Sequence, residues 1–572
     1  MKPQHLLLTA TPILLTALVA PRLCAQTPCK TPAQQKLTAA LGYKGDVFSC
    51  DGLADPLVVM REELDRELPL LKLPGLLPPY FIAYRLEDIE SYDAQASYGA
   101  LASESAAHQR IVRVEVRVGT PAADSSTARG EGSLALAPLV NDASALRRAL
   151  WSATDQAYKQ ALNNYAAKQA ALKTFQTPPT ADDFSVEPPE IHNEPAAHLD
   201  LDKATWRKEL EEASGLFATD PAVKSFAATV QYSAASLRAI AITRAMVNSD
   251  GSAVRTRYSG YATNISVGGQ AEDGMDLGRS NGSVAVTAAG LESWPQFRSR
   301  VLADLESYHA LRNAPKFDRE DYHGPVLFSG DAAADVISQL FAPNVEADRP
   351  EMGTTARTRG VYQSSLRQPV LPEFLNVHDE PSLRSFDGHS LVGSYTVDDE
   401  GVPAQTVQVV VDGNLENFLI GREPVKDFPH SNGHGRALPG QAAHARAAVL
   451  IVSSTHPLSD EQLQTRLLSL ARAQHRDVYE VETLTDDLTP RLLYRVTPEG
   501  QRTLLRGAQF DELDQRSLRQ EVIAAGKTPY LSQTISPLPQ SLLVPPLLFG
   551  DIAVKRATDR NSRLPYYAPP AE

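Results

Sequence analysis

The sequence predicts an α+β protein made of two halves, the second richer in β-structure than the first. With 572 residues the chain is longer than one ordinary core requires. Residues 112–118 alternate valine with charged residues, as an antiparallel strand does. Residues 143–175 contain neither glycine nor proline, which predicts a long helix. After residue 324 the chain turns to short apolar runs and loops, so a boundary is expected near residues 314–324.

The composition describes a folded, acidic chain. Hydrophobic residues make up 42% and charged residues 22%, which excludes wholesale disorder and a polytopic membrane protein. Lys and Arg number 55 against 69 Asp and Glu, a net charge of −14. Such a chain has no general affinity for phosphate backbones, so nucleic acid is not an expected partner.

The N-terminus has the layout of a signal peptide. Lys2 precedes a mostly apolar run over residues 6–20, and the small residue Ala25 marks a cleavage site. The run is shorter than the roughly 20 residues that span a bilayer. We therefore expect residues 1–25 to be removed and the protein to be periplasmic or extracellular, a retained anchor being the alternative. No later segment predicts a membrane span.

Cysteine usage fits an exported protein. After cleavage only Cys29 and Cys50 remain, in a segment (residues 26–50) that is expected to be exposed. Because export is oxidising and the count is even, we expect a disulfide between Cys29 and Cys50, two free thiols being the alternative. A cysteine nucleophile or thiolate metal site is excluded beyond Cys50.

The first half is predicted to contain four helices around strands. A helix should begin at Asp55-Pro56 and end at Pro69, and others should follow at 143–175, 203–213 and 294–313. In the long helix Trp151, Tyr158 and Tyr165 are expected to form a packed stripe. The turn expected between two strands is Asn248–Gly251. The predicted strands are 80–87, 91–102, 110–119, 226–233, 237–247, 253–260 and 263–271, and the strand at 110–119 should have one face wet and one buried.

Two loops in the second half could carry chemistry. His430 and His434 have a zinc-like spacing, but the surrounding Pro, Asn and Gly residues predict a loop rather than a helical face. A structural role is expected, with a functional polar site and a metal site as the alternatives. Asp398-Asp399-Glu400-Gly401 pairs carboxylates, which can bind calcium or act as acid and base. The alternative is a solvated turn between strands 394–397 and 406–411.

Several familiar motifs are missing. Gly526-Lys527-Thr528 ends like a phosphate loop, but Glu521 stands where its first glycine should be. The sequence has no Gly-x-Ser-x-Gly elbow and no His-Glu-x-x-His helix. The residues alone therefore assign no reaction.

An ordered set of short motifs resembles the C-terminal half of the TldD/PmbA family, the peptidase proteins once called modulators of DNA gyrase. The set is Asp379–Ser382, Gly393-Ser394, Asp398–Pro403, Val411–Leu415 and Ser431–Arg436. The resemblance implies a two-domain architecture: an N-terminal α/β domain with an antiparallel sheet and long helices (residues 51–320), a β-rich C-terminal domain (321–555) and a tail (556–572).

The family also implies a dimer in which a TldD-like zinc-peptidase subunit and a PmbA-like partner enclose the site. The family's His-Glu-x-x-x-His falls here on Ser338, Gln339 and Pro343, which supply neither zinc ligands nor a general base. The chain thus resembles the metal-free PmbA-like branch. Zinc is expected only in a TldD-like partner, and whether this chain is itself an enzyme stays open.

The resemblance predicts that His378, Asn432, His434 and Arg436 lie near an enclosed peptide groove. Arg436 could pair with a carboxylate there. The expected role is a non-catalytic subunit, in a homodimer or a heterodimer with a TldD-like chain. The alternatives are a metal-dependent peptidase with a rearranged histidine site in residues 378–456, and a non-enzymatic envelope binding protein.

Overall fold

The structure is a computed structural model that describes residues 39, 55–127, 132–174, 181–347, 349 and 360–557. The predicted signal peptide, Cys29 and Cys50 lie outside the described residues.

The first half is built on one antiparallel sheet of very long strands. Its strand order is β3-β2-β1-β6-β7-β5, with β4 beside β2 and β8 beside β7. The strands are β1 (Pro79–Ser97), β2 (Ala100–Thr120), β3 (Ala123–Asp124), β4 (Ser133–Leu136), β5 (Ile191–Asn193), β6 (Tyr232–Asn248), β7 (Ala253–Gln270) and β8 (Asp276–Ala285).

Four helices cover one face of this sheet. They are α1 (Pro56–Leu70), α2 (Ala143–Thr174), α3 (Lys203–Thr219) and α4 (Trp294–Asn313). Helices α1 and α2 pack on one end of the long strands, around Tyr84 and Val114. Helices α3 and α4 pack on the other end, around Tyr92 and Ile265. Because side chains alternate along a strand, Tyr84 and Tyr92 point to the same face of β1.

The second half of the molecule covers the opposite face of the sheet. Arg113 and Arg117 project from β2 on this face, and Arg113 donates to the carbonyl oxygen of Gly440. Arg117 is buried and donates to Asp124 at 2.9 Å. The alternation in β2 was correctly assigned to a strand, but the prediction that its charged face is wet is wrong. That face is an interface between the two halves.

The second half contains two larger sheets. One has the strand order β14-β13-β10-β17-β24-β23, and the other β20-β19-β18-β9-β25-β21, with β22 beside β25. The strands are β9 (Tyr322–Phe328), β10 (Leu375–Asp379), β11 (Ser385–Phe386), β12 (His389–Ser390), β13 (Val407–Val411), β14 (Asn414–Leu415), β15 (Gly435–Ala437), β16 (Ala443–Ala445), β17 (Val449–Ser454), β18 (Val478–Leu484), β19 (Pro490–Val496), β20 (Arg502–Leu505), β21 (Ala508–Asp511), β22 (Val522–Ala525), β23 (Tyr530–Thr534), β24 (Gln540–Val544) and β25 (Leu547–Arg556). The helices are α5 (Asp331–Leu340), α6 (Ala342–Val345), α7 (Asp460–Gln474) and α8 (Gln515–Gln520).

Most predicted helices are confirmed, and three details of the first half are wrong. The stretch predicted as a strand over 226–233 lies mostly in a 3₁₀ helix, Lys224–Thr229, and joins β6 only at Tyr232. The run predicted as a strand over 91–102 contains the tight turn between β1 and β2, where Tyr98 and Gly99 both have positive φ. Tyr158 is buried as expected, but Trp151 is 56% exposed and does not pack in the stripe. Among the described residues, no helix combines the length and apolar character needed to cross a membrane.

Candidate functional site

The turn Asp398–Gly401 lies where the two halves meet. The carboxylate of Asp398 is buried and accepts hydrogen bonds from the backbone N–H of Glu400 at 3.0 Å, Val402 at 2.8 Å and Gly435 at 2.9 Å. Burial and the neighbouring Glu400 raise the pKa of Asp398 well above its usual range, although the backbone donors oppose the shift. The turn was predicted correctly, but it is buried rather than solvated, since the sheet of the first half covers it.

Glu400 is enclosed by backbone. Its Oε2 accepts from the N–H of Arg422 at 2.6 Å, and burial raises its pKa to about 7. A Cβ added at Gly435 would lie 2.0 Å from this oxygen, and one at Gly421 2.6 Å from it. Because glycine has no Cβ, Gly421 and Gly435 let the backbone lie close to the carboxyl group of Glu400.

His434 and Asn432 hold the loop in place. The His434 side chain is fully buried, its Nδ1 lies 3.0 Å from Oδ1 of Asn432, and its Nε2 lies 3.4 Å from Oδ1 of Asp379. Asp379 in turn accepts from the N–H of Ala448 and Val449. These contacts fix the loop against β10 and β17.

The remaining histidines are dispersed. His378 lies on β10 with its Nε2 3.9 Å from Glu380, while His389, His430 and His456 are exposed. No group of three His, Cys, Asp or Glu residues able to hold a metal occurs in the part of the chain that the structure describes.

A pocket between the two halves contains Arg436. It encloses about 690 Å³ of space open to solvent. Strands β6 and β7 form one wall, and the loops that carry the family-like motifs form the other. Its lining includes Ile240, Ile242, Arg244, Tyr258, Val392, Tyr395, Val397, Asp398, Asp399, Arg436, Ile535 and Pro537–Pro539. Of the four predicted groove residues, the structure brings Arg436 to this pocket; His378, Asn432 and His434 do not line it.

Two polar groups in this pocket lack a complete set of partners. Arg436 is 7% exposed, donates from Nη1 to the carbonyl oxygen of Ala447 at 2.9 Å, and lies over the ring of Tyr395. Among the described residues, no carboxylate lies within ion-pair distance of it. The buried hydroxyl of Tyr258 has no hydrogen-bond partner in the described part of the chain. Burial raises the pKa of Tyr258, although Arg436 and Arg244 nearby oppose the shift.

Arg244 joins the two halves at the base of this pocket. It donates to Glu87 on β1 at 2.7 Å, to Asp399 at 2.7 Å and to the carbonyl oxygen of Ala437 at 2.8 Å. Burial opposes its charge, but Asp399 and Glu87 hold the pKa of Arg244 above its usual value. Its donors are thus used within the protein.

The residues at the family's metal position do not fit zinc. Ser338 and Gln339 are partly exposed on α5, and Pro343 is exposed on α6. A hydroxyl, an amide and a proline ring offer none of the thiolate, imidazole or carboxylate ligands that zinc requires. No metal-dependent step can be assigned to this helix.

The same helix instead carries two carboxyl groups one turn apart. Burial raises the pKa of Asp331 to about 6 and that of Asp335 to about 7. The charges of Asp331 and Asp486 add to the shift of Asp335, and Arg491 opposes it. Sequence reasoning missed this pair because a four-residue spacing between acids is common on solvated helices.

Three comparisons with known proteins bear on the second half and on the whole fold. Residues 321–469 match the family profile described as PmbA/TldA metallopeptidase C-terminal domain. A stretch of 139 residues is 29% identical to a metalloprotease from Archaeoglobus fulgidus and covers 24% of this chain and 30% of that protein. The match therefore spans less than a third of the length of that relative.

Solved structures show the same fold over most of the chain. A modulator of a DNA gyrase from Thermotoga maritima aligns with a TM-score of 0.60 at 16% identity, covering 86% of this chain and 99% of that one. TldE from Thermococcus kodakarensis aligns with a TM-score of 0.56 at 12% identity, covering 87% and 99%. The chain therefore carries a PmbA/TldD-type C-terminal domain within this fold, and the resemblance to the TldD/PmbA family predicted from its sequence is confirmed.

Proposed function

We propose that the chain is an exported, non-catalytic PmbA-like subunit that binds peptide and acts beside a zinc-bearing TldD-like subunit. The observation that carries the proposal is the contrast between α5 and the pocket. Ser338, Gln339 and Pro343 cannot hold zinc, while the loops that resemble the family enclose a partly apolar pocket.

Peptide suits this pocket because it combines apolar walls with donors. Ile240, Ile242 and Val397 can contact side chains, and Arg436 can donate to a charged or carbonyl oxygen. The two carboxyl groups of this lining, Asp398 and Asp399, already accept from backbone N–H groups and from Arg244, so the proposal places cleavage on the partner subunit.

The alternatives make different demands. A metal-dependent peptidase would need ligands from the histidines of residues 378–456, and His434 is already packed between Asn432 and Asp379. A non-enzymatic envelope protein would bind peptide without any TldD-like partner. A homodimer would place two metal-free subunits together and would be inactive.

The test is peptide cleavage by the full mature chain, alone and mixed with a TldD-like chain that carries His-Glu-x-x-x-His. We expect no cleavage by the chain alone, with or without added zinc, and chelator-sensitive cleavage in the mixture above the rate of the TldD-like chain alone. The matched control is the TldD-like chain with its motif Glu changed to Gln, which should abolish cleavage in the mixture.

Two results would contradict the proposal. Stoichiometric zinc in the purified chain, with cleavage that a chelator stops, would make it a peptidase. Absence of any rate increase or complex in the mixture would favour the envelope binding protein.

Export is tested separately. N-terminal sequencing of protein from the periplasm or medium should begin near Gln26, and non-reducing mass spectrometry should find Cys29 joined to Cys50. A chain that keeps Met1 in the cytoplasm would contradict export.

A further inference from the structure

We propose that the pocket between the halves binds the free C-terminal carboxylate of an apolar peptide, held by Arg436 and Tyr258. The inference rests on the proposed function, because it names the part of the peptide that this site would take. It starts from two donor groups, one of which forms a single hydrogen bond in the described structure and the other none.

Arg436 is a buried cation with no carboxylate within ion-pair distance among the described residues. Its side chain is 7% exposed, yet its bond within the described chain goes to the neutral carbonyl oxygen of Ala447. A guanidinium removed from water is costly unless an anion and further acceptors satisfy it. Stacking on Tyr395 offsets only part of that cost. An anionic ligand in the pocket would supply the missing partner.

Tyr258 points to the same ligand. Its hydroxyl is buried without a partner in the described structure, and buried polar groups in proteins are nearly always paired. Because burial keeps the phenol protonated, it can donate a hydrogen bond. Both Arg436 and Arg244 are near enough to affect its titration. A ligand oxygen that accepts from Tyr258 would therefore lie in a positive field.

Two of the other charged residues in the pocket already have partners. Arg244 is bound to Glu87, Asp399 and a carbonyl oxygen, and Asp398 accepts three backbone N–H groups. The buried donors that remain are the guanidinium of Arg436, apart from its bond to Ala447, and the hydroxyl of Tyr258; Arg257 also lines the pocket, but its side chain is exposed. A single carboxylate suits these two buried donors, and the nearby carboxyl groups of Asp398 and Asp399 disfavour it less than they would a phosphate dianion.

The apolar lining determines which peptide residues can accompany the carboxylate. Ile240 and Ile242 project from β6, and Ile535 with Pro537–Pro539 lies across from them. These residues offer no charged partner, so the peptide side chains that lie against them should be apolar. The ligand that fits is therefore a peptide whose last residues are apolar.

The experiment measures binding of an N-terminally fluorescein-labelled apolar pentapeptide to the full mature chain by fluorescence anisotropy. The paired probe is the same peptide as its C-terminal amide. We expect the free acid to bind at least about tenfold more tightly, since a charge-assisted bond contributes about that factor. Equal affinity of the two probes would overturn the proposal.

Variants identify the donors. Tyr258→Phe removes one oxygen and should weaken the acid probe about tenfold while leaving the amide probe unchanged. Arg436→Gln should abolish the preference for the acid. The matched control is Arg238→Gln, an exposed arginine on the same strand as Arg244, which should leave both affinities unchanged. If Arg436→Gln fails to fold, Tyr258→Phe decides alone, and equal loss for both probes contradicts the assignment.

A further arm separates peptides from other carboxylic acids. Displacement of the acid probe by a medium-chain fatty acid as efficiently as by unlabelled peptide would overturn the peptide assignment. The outcome is independent of the cleavage assay, because a subunit that stimulates a TldD-like chain while binding acid and amide equally would refute this inference and leave the proposed function intact.

Discussion

Helix α5 and the loops around Asp398 and Arg436 lie in the same half of the molecule but differ in how far their polar side chains are buried and hydrogen-bonded. At the family's metal position on α5, the side chains of Ser338 and Gln339 form no hydrogen bond in the described structure and are partly exposed. In the loops, Asp398 is buried and bonded through both of its oxygens. The loops thus keep polar contacts that hold the structure together, including the pair of Asp399 with Arg244 between the two halves. The residues at the family's metal position cannot hold zinc. Substitutions in the two regions should therefore differ greatly in effect.

The largest effect is expected for Asp379→Ala. This substitution leaves the N–H groups of Ala448 and Val449 and the ring of His434 without their buried partner, which should lower the free energy of unfolding by about 3 kcal/mol or more. Urea unfolding measures it. Asp511→Ala, which breaks an exposed pair with Lys555, is the control and should cost less than about 1 kcal/mol. Equal losses of unfolding free energy in Asp379→Ala and Asp511→Ala would contradict the prediction.

A smaller effect is expected for Arg244→Met, compared with Arg238→Met on the same strand. Both arginines pair with an acid on β1, but Arg244 also reaches Asp399 and is largely buried. We expect a loss of about 2–3 kcal/mol at Arg244 and less than about 1 kcal/mol at Arg238. A loss at Arg238 as large as that at Arg244 would show that contact with the second half contributes nothing.

Asp335→Asn tests electrostatics on α5. The pKa of Asp335 is about 7 in the folded chain and about 3.9 when unfolded, so the folded state binds the proton more tightly. Stability of the wild type should then fall as the pH rises from about 4 to about 7. The Asn variant lacks this contribution and should be more stable at pH 8 by on the order of 1 kcal/mol, since the group is partly exposed.

Unfolding curves at pH 5 and pH 8 measure this difference. Asp511→Asn is the matched control and should leave the pH dependence unchanged. A variant that loses stability equally at both pH values would contradict the assignment, because it would indicate a lost hydrogen bond rather than a shifted titration.

The smallest effect is expected for Ser338→Ala and Gln339→Ala. Because neither side chain has a hydrogen-bond partner in the described structure, each change should alter stability by less than about 0.5 kcal/mol. The zinc content of the purified chain, measured by elemental analysis, should not change. A loss of bound metal in either variant would refute the metal-free interpretation of α5.

The sequence predicted local structure better than it predicted the pocket. The helix over residues 143–174 was predictable because an uninterrupted stretch without glycine or proline leaves few alternatives. The turn at Tyr98-Gly99 was missed because strand-like residues continue on both sides of it. Gly99, which adopts a positive φ in the turn, was the one local signal of a break in the strand.

The pocket depends on residues that only tertiary structure brings together. Arg436 could be proposed from its motif, but Tyr258 comes from a strand in the other half and belongs to no motif. His434 was predicted beside a groove, and its spacing from Asn432 could not reveal that its ring would pack onto Asp379. The charged residues on β2 predict a polar face. Whether water or protein covers that face depends on how the second half packs against it, which the sequence of β2 does not reveal.

The contact of Arg422 with the first half has a consequence for how the protein unfolds. This buried guanidinium donates to the carbonyl oxygen of Ser185 and to Asp250, and Ser431 N–H donates to Glu187. Either half on its own would expose these groups and the charged face of β2 without their partners. Heating should therefore melt both halves in a single calorimetric transition, and a cut between α4 and β9 should yield fragments that are stable only when they reassociate.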